Sequence, residues 1–195
     1  MSNELLNPKK LFSRTDVLIN PSPVAKKAGN YAWFFKEIPA KVPVSDCIKL
    51  NNLTLLYVGI SPKAPPLNGA KPSSQTLWHR VRYHYSGNAE GSTLRLTLGC
   101  LLSDELGIQL RRVGSGNRMT FTISGEIKIS EWMEKNAFVV WIEHPTPWLL
   151  EDELIKTKSL PLNLQGNQAH PFHKELSLIR SEQKKKAKEL PVIGR

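Results

Sequence analysis

Three short apolar runs dominate the pattern along this chain, and each has the length and composition of a strand rather than a helix. Asn30-Tyr31-Ala32-Trp33-Phe34-Phe35 is aromatic and is closed off by Pro39 and Pro43. A second run spans residues 53 to 60. Ala137-Phe-Val-Val-Trp-Ile-Glu143 is the clearest buried strand in the chain. Residues 61 to 75 between them are rich in proline and must be a loop.

Helical spacing appears elsewhere. Leu77, Val81 and Tyr85 recur at every fourth position and the pattern stops at Ser86-Gly87-Asn88. A second helix is expected within residues 91 to 106, and Ser130 is placed to cap a short helix over Glu131 to Asn136. Thr146-Pro147 reads as a helix start, because threonine caps and proline at the first helical position loses no hydrogen bond. That helix should run to about residue 158 and be ended by Pro161. Phe172, Leu176 and Ile179 predict a docked helix that frays into the basic stretch Gln183-Lys-Lys-Lys-Ala-Lys. The pattern therefore predicts an α/β (α+β) domain: a small mixed or antiparallel sheet of about three core strands, flanked by helices.

Composition narrows the function. A chain of 195 residues with 40% apolar content suits one domain with a real core. Its formal charge of +10 points to a polyanionic partner, with nucleic acid ahead of an anionic membrane. No segment approaches the roughly 20 apolar residues that cross a bilayer, and no apolar leader follows Met1, so the expectation is no membrane and a cytoplasmic location. Cys47 and Cys100 have no zinc-type spacing and read as small buried apolar residues. His170-Pro-Phe-His173 is open to two readings, a metal pair or a loop leading into a helix.

The chemistry lies where polar residues fall on apolar helix faces. With Leu77 at the origin, Val81 and Tyr85 lie at about 40° and 80°, while Arg80 and His84 lie at about −60° and −20°. These two either cover and fill the edge of the core or work as a functional pair. In the later helix, only Glu151 of the acidic run Glu151-Asp152-Glu153 shares the face of Leu154 and Ile155. An inward carboxylate without a partner is costly, so Glu151 must pair with a cation or hold a metal. Arg111, Arg112 and Arg118 surround Gly114 and Gly116 in a basic connection that either contacts phosphate or simply turns.

Taken in order, Gly29-Asn30-Tyr31, Tyr57-Val58-Gly59, Arg80-x-x-x-His84, Glu151-x-x-Leu154-Ile155 and Pro161-x-Asn163 resemble the GIY-YIG nuclease family. The resemblance covers residues 29 to 163 and is nearer the restriction and homing members than the repair excinuclease subunit. Asn30 stands where an aliphatic residue is usual, the loop before Arg80 is longer, and residues 87 to 136 are an elaboration. On this basis residues 1–28 are a basic N-terminal arm, 29–170 the catalytic domain, and 171–195 a C-terminal helix and basic tail.

The resemblance implies a Mg²⁺-dependent endonuclease acting on DNA, with Mn²⁺ as a substitute; RNA stays open as a substrate, and so does the choice between monomer and homodimer. Glu151 would hold the metal, Arg80 would bind phosphate, and Tyr31 would orient or deprotonate the attacking water. Tyr57 would contact phosphate, His84 would relay a proton, and Asn163 would pin the following loop or touch the nucleic-acid backbone. Arg111, Arg112 and Arg118 would add phosphate contacts.

Overall fold

The computed structural model describes residues 2–194. Two of the apolar runs form the long strands β1 (Gly29–Phe35) and β3 (Leu53–Ser61), the third forms β6 (Ala137–Glu143), and a short β2 (Lys49–Leu50) adds an edge. The sheet is antiparallel with order β2-β3-β1-β6, so β1 is central and buried at all seven positions. The expected three core strands are present, and the two-residue β2 is the addition.

Helices cover both faces. Tyr31, Trp33, Phe35 and Tyr57 point into the larger core with α3 (Leu77–Ser86), α4 (Thr93–Leu101) and α5 (Thr122–Asn136). Ala32, Phe34 and Val58 point the other way, onto α1 (Ser2–Leu6) and α6 (Pro147–Thr157). Alternation breaks once, where Trp33 faces Tyr57 but Phe34 faces Leu55, leaving Leu56 as an extra residue in β3. Leu56 and Tyr57 consequently share one core.

Several expectations change. The N-terminal segment is not a free arm: Leu5 and Val17 are fully buried, and Phe12 bridges Val139 beside β6. α2 (Arg14–Leu18) is closed by a capping box between Ser13 and Asp16. The helix expected from residue 131 begins at Thr122, and Ser130 lies inside it, donating to Glu126 O at 2.9 Å. Residues 111–120 fold as a hairpin, β4 (Arg111–Val113) with β5 (Arg118–Thr120). The last helix, α7 (His173–Glu189), stays helical through its lysine run, and Ile193 bridges back to Val113. No helix among the described residues is long and apolar enough to cross a membrane.

Candidate active site

Tyr31 stands opposite Gly59 in the β1–β3 ladder, and Trp33 stands opposite Tyr57. All four side-chain positions therefore face one side of the sheet. A Cβ on residue 59 would lie 2.5 Å from the Tyr31 hydroxyl, so glycine there is what lets the phenol lean across β3. Gly29 has a different reason: a Cβ would strike the backbone of β6 at Ile142 and the side chain of Leu77.

The helix α3 lies over these tyrosines with Leu77, Val81, His84 and Tyr85 buried, the face the spacing predicts. Arg80 Nε donates to the Tyr31 oxygen at 3.4 Å and Nη1 donates to Gly91 O at 2.7 Å. Its Nη2 has no protein partner among the described residues and is free to donate elsewhere. His84 is fully buried, 2.8 Å from the Tyr31 hydroxyl through Nε2 and 2.7 Å from Ser92 Oγ through Nδ1. Burial, reinforced by Arg80 and Arg95, holds its imidazole well below the usual histidine range, so His84 is neutral.

Across the pocket, α6 delivers Glu151. Proline opens this helix as expected, although Thr146 makes no side-chain cap bond. Asn30 instead ties the helix start to the sheet, donating to Pro147 O at 2.8 Å from a buried position. Glu151 is half-buried and makes no ion pair or hydrogen bond among the described residues. Desolvation, with Asp152 adding to it and Lys63 and Arg80 opposing it, raises its carboxyl to about 7.

These groups line one cavity of about 720 Å³, which includes Tyr31, Tyr57, Arg80, Glu151 and Asn163 with Lys63 at its rim. Both phenols are neutral here. Burial pushes Tyr31 up to about 12 against the pull of Arg80, and pushes Tyr57 well above its ordinary value despite Arg80 and Arg180. Arg180 comes from α7 and donates to Thr97 Oγ1 at 3.4 Å. Its nearness to Tyr57 was invisible in the sequence.

The donor set fits a divalent cation. An unpaired carboxylate whose ionisation burial opposes would gain from a neighbouring positive charge. Among the described residues no group of three or more His, Cys, Asp or Glu is placed to ligate a metal. Glu151 is the carboxylate in this cavity that could hold such a cation.

Not every expected residue reaches the cavity. Asn163 lines it, but both ends of its amide are spent on the edge of β3: Oδ1 accepts from Val58 N at 3.0 Å and Nδ2 donates to Val58 O at 2.9 Å. It closes the part of that edge that β2 is too short to cover. Arg111 donates to Pro191 O, and Arg112 donates to Ala187 O and Leu190 O, so both bind the chain around the end of α7. Arg118 is exposed on the hairpin, and none of these three arginines lines the cavity. His170 accepts from Phe172 N through Nδ1 and meets Ser159 Oγ through Nε2, which suits the loop reading of that pair.

No curated protein and no solved structure matched the chain. A family model, described as the GIY-YIG catalytic domain, matches residues 29–182. The match begins at the glycine of β1, takes in every side chain of the cavity, and extends past Asn163 into α7. The chain belongs to the GIY-YIG catalytic domain family, whose members are nucleases.

Proposed function

We propose that this protein is a Mg²⁺-dependent endonuclease that hydrolyses DNA phosphodiester bonds with a single metal held by Glu151. The observation that carries the reading is the unpaired Glu151 carboxylate facing Arg80, Tyr31 and Tyr57 across one cavity. When bound, the cation would polarise the scissile phosphate and stabilise charge on the leaving oxygen. Mn²⁺ would serve in its place.

The chain's own groups divide the remaining work. Arg80, anchored through Nη1, has Nη2 free to donate to a phosphate oxygen as charge gathers there. Tyr31 orients the attacking water from a hydroxyl held by Arg80 and His84. A phenol at about 12 is no standing base, so its first role is positioning. Tyr57 contacts phosphate, and Asn163 supports it by fixing the β3 backbone at the next residue. The net charge of +10 draws the nucleic acid in, with Lys63, Arg118 and the α7 lysines on exposed or partly exposed surfaces.

The pairing of Arg80 with His84 favours a restriction-like or homing-like role over a repair role. With one active site per chain, cutting both strands takes a homodimer or two successive nicks by a monomer. The test is cleavage of linear duplex, flap and bubble substrates in Mg²⁺, with a matched RNA. Cutting of intact duplex at defined positions is expected. Cutting confined to flaps or bubbles would replace this reading with a structure-specific repair nuclease, and retained binding without any cleavage would make the domain a binding module.

A further inference from the structure

The two residues that hold the polar side of α3 are adjacent in the chain. Gly91 O accepts from Arg80, and Ser92 Oγ meets His84. Both precede α4, for which Ser92 is the N-cap, accepting from Arg95 N at 3.1 Å. The connection is packed tightly, since a Cβ on residue 91 would lie 2.5 Å from the Tyr83 hydroxyl.

Ser92 is fully buried, so its hydroxyl hydrogen needs an acceptor inside the protein. The Oγ already accepts from Arg95 N, and the acceptor within bonding distance is His84 Nδ1. A neutral imidazole carries one proton. If that proton were on Nδ1, the Ser92 hydroxyl would be a buried donor with nothing to bond. If it is on Nε2, Ser92 donates to Nδ1, and Nε2–H donates to the Tyr31 oxygen at 2.8 Å. Leaving a buried donor without an acceptor is costly enough to decide the tautomer.

We infer that Ser92 fixes His84 as the Nε2–H tautomer, making His84 a hydrogen-bond donor to Tyr31, and is thereby a positioning residue for the site. The Tyr31 oxygen then receives N–H groups from His84 and Arg80, and its own hydroxyl hydrogen is left to donate on the cavity side, where Tyr57 lies. His84 in this state has no lone pair at Nε2 to take a proton from Tyr31. The reading of His84 as an acceptor of the Tyr31 proton gives way to an orienting one.

The inference rests on the proposed nuclease function only for its kinetic readout. The primary experiment is a long-range ¹H–¹⁵N correlation spectrum of the full chain labelled at histidine, with His84 assigned through His84→Gln. It is recorded for wild type, Ser92→Thr, Ser92→Ala and Ser92→Gly. Glycine keeps most of the helix cap while removing the hydroxyl, which covers the case in which the alanine variant fails to fold.

The expected result is the Nε2–H pattern in wild type and Ser92→Thr, and a mixture of both tautomers in the variants lacking the hydroxyl, where a water in the vacated space can donate to or accept from Nδ1. Cleavage by Ser92→Gly should then fall about tenfold in kcat with KM unchanged, and threonine should restore it. An Nδ1–H pattern in wild type would overturn the inference, as would an Nε2–H pattern that survives loss of the hydroxyl. Absence of cleavage by wild type would count against the nuclease reading while leaving the tautomer readable.

Discussion

Two arginine and glutamate sets lie in neighbouring parts of this molecule and are treated in opposite ways. Where α3, α4 and α5 meet, Arg95 is fully buried and forks onto Glu126, with Nε and Nη2 donating to Oε2 at 3.0 and 2.8 Å. Its other donors reach the carbonyls of His84, Tyr85 and Glu126 and the Ser130 hydroxyl. In the cavity, Arg80 and Glu151 feel each other's charge but form no ion pair. Every valence is used in the first set, and donors and a carboxylate are left over in the second. Satisfied charge holds three helices together; in the cavity the donors and the carboxylate stay open, as the proposed binding of a cation and a phosphate requires.

The largest expected effects break the cavity without disturbing the fold. Arg80→Ala should lower the cleavage rate by about 10²–10³-fold in single-turnover assays while its urea midpoint stays near wild type. Arg95→Ala should do the reverse in kind, losing roughly 3–5 kcal/mol in urea unfolding because Glu126 is left charged among buried groups. Cleavage per folded molecule would then change much less than for Arg80→Ala. Equal loss of stability in both variants would erase the distinction.

A smaller effect tests the sheet. Gly59→Ala should cost about 1–3 kcal/mol and displace the Tyr31 ring, with cleavage falling and DNA binding kept.

Metal-free stability sharpens the contrast further. Because the Glu151 carboxyl is raised from 4.5 to about 7, the native state holds its proton longer than the unfolded chain. The penalty is absent below about 4.5, grows as pH rises through 7, and is constant above. Glu151→Gln should therefore be more stable than wild type at pH 8 by about 1–2 kcal/mol, allowing for solvent in the cavity, and the gain should vanish at low pH. Mg²⁺ should stabilise wild type but not the variant in thermal melts.

His84 gives the smallest expected change, with the opposite pH dependence. Its native imidazole resists protonation, so stability is complete above the ordinary 6.5 and is lost as pH falls below it. His84→Gln should show a flatter stability profile between pH 6.5 and 5 in urea titrations.

Much of the cavity was legible because periodicity reports burial. The offset of Arg80 and His84 from Leu77, and of Glu151 from its acidic neighbours, placed three side chains on apolar faces before any tertiary contact was known. The three strands declared themselves for the same reason. The N-terminal segment did not, since its five-residue helices bury one apolar residue each, Leu5 and Val17, and carry no repeat. The start of α5 was hidden because Thr122 and Gly125 are both poor helix formers. Arg111 and Arg112 looked like phosphate ligands because a sequence cannot show that carbonyls near the end of α7 come to meet them. Ser92 and the Arg95–Glu126 pair depend on how helices dock, which no local pattern encodes.

The most direct test of the central claim is nicking of supercoiled plasmid in Mg²⁺ by wild type and Glu151→Ala, purified identically and matched for DNA binding. Nicking by wild type, lost in the variant and lost in wild type with chelator, is the predicted result. Full nicking by Glu151→Ala would contradict the assignment of Glu151 as the metal ligand.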